Sequence, residues 1–213
     1  MPTIVDIADG AVLTLRDVGG DVLPLDPLRW HGPVSAADQR LLAKVHGPVL
    51  DVGCGPGRIV ERLARQGVVA LGIDPAPGAV SLARRRGCSV LQRSVFDALP
   101  GEGRWRTVLL LDGNIGIGGN PVRLLCRCRT LVHSDGQVVA EVEPRRAGWR
   151  TCRARLERGH EFSSWFEWSV VGADAVAGLA DQAGMRVDFV SQAGDDRWFA
   201  HLRPQGVPPR AGP

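Results

Sequence analysis

The run Val49-Leu50-Asp51-Val52-Gly53-Cys54-Gly55-Pro56-Gly57-Arg58, followed by Leu71-Gly72-Ile73-Asp74, constrains the fold of this 213-residue chain more than any other feature. Residues 47 to 52 are short and apolar apart from one acid, as suits a parallel strand covered on both faces. Glycines at 53, 55 and 57 let the backbone turn sharply and leave no Cβ to keep a ligand away. The helix that follows, with Ile59, Leu63 and Ala64 on one face, offers free N–H groups at its start. Residues 68 to 73 form a second buried strand, and Asp74 stands at its carboxyl end, where a carboxylate can accept two hydrogen bonds from a ribose diol. The outline is that of a nucleoside-binding α/β site.

A dinucleotide fingerprint reads G-x-G-x-x-G, with a pyrophosphate on the helix N-terminus. Here the pattern is D-x-G-x-G-x-G, with Asp51 ahead of Gly53, Gly55 and Gly57. That pattern resembles motif I of the class I S-adenosylmethionine-dependent methyltransferases, and the resemblance covers roughly residues 47 to 143. It implies a loop facing the methionine part of S-adenosyl-L-methionine, whose ammonium group welcomes a nearby carboxylate. The implied cofactor contacts are Asp51, Gly53, Cys54, Gly55 and Gly57 from the first unit, and Asp74 with Pro75 from the second. In similar enzymes the loop after the third strand covers the adenine. Val95 and Phe96 would supply backbone and apolar contact there, and Asp97 is the available acid. Alignment on Leu99-Pro100 instead puts Val95 where the family's acid often stands, and Asp97 can equally be a turn-forming residue.

The element order alternates strand and helix, as a doubly wound sheet requires. The expected fold class is α/β: a Rossmann-like, seven-stranded mixed sheet with helices on both faces, plus a small N-terminal β-hairpin and a lid hairpin. Residues 1–30 hold two β-like runs, Val12 to Leu15 and Val22 to Leu25, around Gly19-Gly20. Residues 31–203 make the cofactor-binding domain, starting with a helix capped by Ser35. The final helix and two strands match the reversed edge that the family adds to its sheet, and residues 204–213 read as a disordered tail.

Asp112-Gly113-Asn114-Ile115-Gly116-Ile117-Gly118-Gly119-Asn120 follows the fourth core strand, at the end that faces the ligand crevice in open α/β sheets. Asp112, Gly113 and Asn114 are therefore placed at the cofactor. This run lacks the Asn-Pro-Pro-aromatic pattern of enzymes that methylate amino groups of bases, which leaves small-molecule O-, N- or C-methylation. Asp112 and His160 are the candidate catalytic residues, with Glu141, Glu143 and His31 as further bases for a hydroxyl acceptor. Residues 145–170 read as a substrate-selecting lid. Trp165 and Trp168 would wall the acceptor, Arg153 or Arg155 would bind an acidic group on it, and Trp30 would close the pocket.

Composition points the same way. Net charge is +3 and Lys44 is the single lysine among 26 basic residues, a skew of the kind a GC-rich genome produces. Arg84-Arg85-Arg86 then reads as a solvated helix face, and RNA or DNA as substrate is disfavoured. In a helix Cys126 and Cys128 would point about 200° apart, and the five cysteines show no zinc or C-x-x-C spacing, so no metal is expected. No stretch approaches the 18 or so apolar residues of a membrane span, and the first residues lack a signal peptide's pattern, which makes a cytoplasmic enzyme the expectation. Two rival readings are a non-catalytic S-adenosylmethionine-binding protein and a nicotinamide-dependent oxidoreductase; the glycine spacing disfavours the second.

Overall fold

The computed structural model of the chain describes residues 13–23, 27–144, 148–194 and 197–206. In chain order the elements are β1 (Leu13–Asp17), α1 (Pro27–His31), α2 (Ala36–Leu42), β2 (Val49–Val52), α3 (Arg58–Arg65), β3 (Ala70–Ile73), α4 (Pro77–Arg85), β4 (Val90–Leu91) and β5 (Trp105–Leu110). A 3-10 segment (Asn114–Gly119) leads into α5 (Pro121–Leu131), then β6 (Val132–Val142), β7 (Trp149–Arg158), β8 (Glu161–Phe162), β9 (Phe166–Val171), α6 (Val176–Gln182), β10 (Met185–Ala193) and β11 (Arg197–Pro204).

Seven strands form the main sheet in the order β10-β11-β6-β5-β2-β3-β4. β2 pairs in parallel with β3 on one side and β5 on the other, and β11 runs antiparallel to both β6 and β10. All four residues of β2 are buried, because a central strand with helices on both faces has no solvated side. Alternation along β5 sends Val108 and Leu110 into the cluster under α5 and α6, and Leu109 into the cluster under α2 and α3. The chain order reverses between β2 and β5, so a crevice opens at the carboxyl ends of those strands. Ser35 caps α2 reciprocally: its Oγ accepts from Asp38 N–H at 3.1 Å, and the Asp38 carboxylate accepts from Ser35 N–H at 2.9 Å.

A second, smaller sheet covers the crevice. β7 lies at its centre, with β9 and β8 antiparallel on one edge and β1 antiparallel on the other, in register Leu13↔Arg158 through Asp17↔Ala154. The N-terminal segment, expected to form a hairpin by itself, therefore supplies an edge strand to the lid. Among the described residues its return is an antiparallel bridge, Arg16↔Val22, after a turn near Gly20. The pairing is driven by burial: Leu15 is 1% exposed and joins the same cluster as Leu156. Val12 and Leu25 of the expected hairpin lie outside the described residues. So do residues 207–213 of the expected tail, while Pro204 is the last residue of β11 and pairs with Met185.

Candidate active site

The crevice holds a cavity of about 190 Å³. Its floor comes from the glycine loop and the ends of β3 and β5; its roof comes from α1 and the small sheet. Gly53, Gly55 and Gly57 take φ of 70°, 52° and 85°, conformations that only glycine adopts without strain. At Gly57 a Cβ would also lie 2.8 Å from Cys88 Sγ, so the turn into α3 has no room for a side chain.

Asp74 ties this loop down. One of its oxygens accepts from Ala76 N–H at 2.8 Å and the other from Gly55 N–H at 3.0 Å. Burial pushes its pKa up against the opposing effect of those two bonds. Asp51 is 3% exposed, lines the cavity, and its carboxyl accepts no hydrogen bond among the described residues. Burial raises its pKa to about 7, with Arg58 pulling it down and the charges of Asp112, Asp74 and Asp38 pushing it further up. Asn114 donates through Nδ2 to the carbonyls of Val52 (2.9 Å) and Gly53 (3.0 Å), so it props the glycine loop as well as lining the cavity.

Beneath the cavity lies a cluster of charges that no sequence spacing reveals. Arg58, the first residue of α3, is 3% exposed and holds Asp112 with two bonds, at 2.8 and 2.6 Å, and Asp38 at 2.5 Å. Arg197, from β11, grips Glu141 with two bonds (2.7 and 2.6 Å) and Asp38 at 2.6 Å. Asp112 has φ 54° and donates its backbone N–H to Glu141 at 2.7 Å. Arg29 of α1 approaches Glu141 to 3.6 Å. Burial pushes Asp38 up, but Arg58 and Arg197 outweigh it and hold the carboxyl below its ordinary value. Partners in this cluster are up to 159 residues apart in the chain, which hides them from any local pattern.

The expected site residues divide clearly. Asp51, Gly53, Cys54, Gly55, Asp74, Pro75, Asp112 and Asn114 meet at the cavity, as do Trp30 and Trp168. Gly57 and Gly113 act one step back, as the left-handed residues that start α3 and the 3-10 segment. Val95, Phe96 and Asp97 do not reach the wall. Val95 is 3% exposed in the core, Phe96 packs under the Arg123 guanidinium at 4.3 Å, and Asp97 accepts from Ser94 N–H at 2.9 Å in its own turn. His160 is exposed in the turn between β7 and β8. Strand alternation turns Arg153 and Arg155 to the outer face of the lid, where Arg155 stacks over Phe162 and Trp165. Glu143 lies off the main cavity beside Trp168, with burial and neighbouring Glu141 raising its pKa to about 6. Leu15, His31, Leu156 and Phe166 complete the roof. For Leu15 and Leu156 the available signal was alternation in two strands, but only their pairing says that both face the cavity.

Residues 49–136 match the family model described as a methyltransferase domain. That segment is thus similar to a methyltransferase domain. Outside that match the likeness continues in three dimensions. The whole fold is similar to an S-adenosylmethionine-dependent methyltransferase from Bacteroides fragilis, solved with S-adenosyl-L-homocysteine, at TM-score 0.77, 19% identity, and coverage of 91% of this chain and 87% of that one. It is also similar to the 1,6-didemethyltoxoflavin-N1-methyltransferase of Burkholderia thailandensis, at TM-score 0.59, 19% identity, and coverage of 96% and 99%. Among curated proteins, the 2-heptyl-1-hydroxyquinolin-4(1H)-one methyltransferase of Mycobacteroides abscessus is 51% identical over 41 residues, 19% of this chain and 18% of that protein. The matches span less than a quarter of the first curated relatives, 18%, 19% and 23% of their lengths. The sequence likeness to these relatives covers short segments, and the neighbours in structure establish the fold.

Proposed function

We propose that the protein is an S-adenosylmethionine-dependent methyltransferase acting on a small molecule. The observation that carries this reading is Asp51, a carboxyl 3% exposed that faces the cavity beside the glycine loop without a hydrogen-bonding partner among the described residues. A buried carboxylate is costly unless something pairs with it, and the ammonium group of S-adenosylmethionine is a matching charge. Asp74 at the end of β3 offers two carboxylate oxygens to a ribose diol, and the open space beside Gly55 admits a ligand against the backbone.

When bound, the cofactor supplies a methyl group on a sulfonium, whose leaving group is a neutral thioether. This chain's residues then contribute alignment and exclusion of water. The lid strands β1, β7 and β9 close the crevice from above. Asp112, gripped by Arg58 through both oxygens, would have to break that pair to take a proton; it acts as a positioning residue that fixes the end of β5. His31 lines the cavity, and burial together with the Arg86 charge lowers its pKa, which keeps the imidazole neutral near pH 7. It is the titratable side chain at the cavity best suited to accept a proton.

Calorimetric titration tests the cofactor assignment. The protein is expected to bind S-adenosylmethionine and S-adenosylhomocysteine in preference to NAD. Asp74→Ala removes charge-assisted hydrogen bonds of about 1.5–3 kcal/mol each, so affinity should fall about a hundredfold while circular dichroism stays native. Unchanged affinity would place the ribose elsewhere, and no binding by folded wild-type protein would sink the reading.

Asp51 adds a proton signature. With its pKa at about 7, roughly half of the free protein carries the proton at pH 7, and a ligand ammonium favours the carboxylate. Binding should therefore release about half a proton at pH 7 and tighten as pH rises from 6 to 7.5. Titrations in buffers of different ionisation enthalpy read this directly. An observed enthalpy independent of buffer would remove Asp51 from the ammonium site.

A further inference from the structure

We infer that the methyl acceptor is a flat, apolar molecule without an anionic group, an aromatic ring bearing a neutral hydroxyl or amine. This inference rests on the methyltransferase reading and specifies the substrate class of the same cavity.

The roof against which an acceptor would lie is built from Leu15, Trp30, Leu156, Phe166 and Trp168. These side chains come from β1, α1, β7 and β9, and all are apolar over most of their surface. Phe166 and Trp168 meet edge to face, with centroids 5.9 Å apart and planes at 84°. Trp168 is held in place from behind, since any Cβ at Gly116 would come within 2.8 Å of its ring. Rigid aromatic walls favour a flat partner, each ring pair adding about 0.5–1.5 kcal/mol beyond buried area.

The charges define what is excluded. Alternation along β7 puts Ala154 and Leu156 inward and Arg153 and Arg155 outward. The outward arginines are engaged on the solvent side: Arg155 bonds Glu157 at 2.8 Å and Arg153 approaches Glu167 at 3.6 Å. Among the described residues at the cavity, carboxylates come from Asp51, Asp74 and Asp112, whereas the guanidinium there, Arg58, is taken by Asp38 and Asp112. An acceptor carrying a carboxylate, sulfonate or phosphate would lose its hydration beside these acids with no free cation to meet it, and like-charge juxtaposition costs several kcal/mol. A neutral hydroxyl or amine meets no such penalty. On transfer its lone pair forms the new bond to the methyl carbon, the carbon–sulfur bond breaks with its electrons left on sulfur, and the acceptor's proton passes to the neutral His31 imidazole and from there to solvent.

The test uses full-length protein saturated with S-adenosylhomocysteine, whose binding is measured first. Matched probes are then titrated: 2-naphthol against 6-hydroxy-2-naphthoate, and 5-hydroxyindole against 5-hydroxyindole-2-carboxylate. Each neutral probe is expected to bind at least tenfold more tightly than its acid. Phe166→Ala should weaken the neutral probes at least fivefold while leaving S-adenosylhomocysteine affinity unchanged. Arg153→Ala and Arg155→Ala should leave the affinities of the acids unchanged. Failure of the protein to bind S-adenosylhomocysteine would overturn the methyltransferase reading and this inference with it. With that ligand bound, equal or tighter binding of the acids, loss of their binding in the arginine variants, or no binding of either neutral probe would overturn this inference alone.

Discussion

Arg197→Met is expected to lower stability by about 3–5 kcal/mol, because breaking a buried ion pair leaves its partners charged and desolvated. For a domain of this size each kcal/mol corresponds to about 2–4 °C, so the thermal midpoint should fall by about 6–20 °C. The size of the effect follows from the number of groups stranded. Arg197 is 4% exposed and satisfies both oxygens of Glu141 and one of Asp38, joining β11, β6 and α2 at one point. Arg197→Lys keeps the charge and loses the planar fork, so it should fall between wild type and methionine. Below its own transition the methionine variant should also bind S-adenosylhomocysteine more weakly. Asp112 keeps its φ of 54° through bonds to Arg58 and Glu141, and the second of these partners is itself held by Arg197. Thermal unfolding followed by circular dichroism, with calorimetry for the ligand, measures both. A midpoint within 2 °C of wild type would mean that water reaches the cluster and replaces the guanidinium.

Gly116→Ala is expected to destabilise by about 3 kcal/mol, the upper part of the range for added bulk in a packed core. A Cβ at this position would stand 2.0 Å from the Ser169 carbonyl oxygen and 2.8 Å from the Trp168 indole. The first is main chain of β9, which cannot swing away as a side chain would. Relief requires β9 to lift from the 3-10 segment, and the link from Thr151 Oγ1 to the Gly119 carbonyl, at 2.9 Å, would be stretched with it. The lid would then close badly, so acceptor affinity should suffer more than affinity for S-adenosylhomocysteine, which the glycine loop and Asp74 hold from below. Equal loss for the two ligands, or a stability within about 0.5 kcal/mol of wild type, would refute this account of the glycine.

The glycine-rich run after β5 shows how a correct location can carry an incomplete role. Its place at the carboxyl end of a core strand was legible from order alone, and Asp112 and Asn114 do line the cavity. Their tasks were not legible. Asn114 hydrogen-bonds back to the end of β2 and the glycine loop, Asp112 is locked onto Arg58, and Gly116 and Gly119 exist to let β9 and β7 approach. Each task depends on a partner more than 30 residues away, which periodicity in one segment cannot reveal. Arg153 and Arg155 make the same point from another side. Their alternation with Ala154 and Leu156 was visible, but which of the two faces turns inward depends on where the lid sits.

The local sequence determined the parts whose causes are local: the order of strands and helices, the turn at Gly53 to Gly57, the cap at Ser35, and the acids at the ends of β2 and β3. There burial pattern, backbone freedom and chain order act over a few residues, so the residues themselves decide. Only the tertiary structure decided the pairing of β1 with β7, the inward face of the lid, and the convergence of Asp38, Arg58, Asp112, Glu141 and Arg197. Those features are set by which surfaces exclude water together and which charges must neutralise one another once it is gone. Both conditions arise only when segments far apart in the chain are brought into contact.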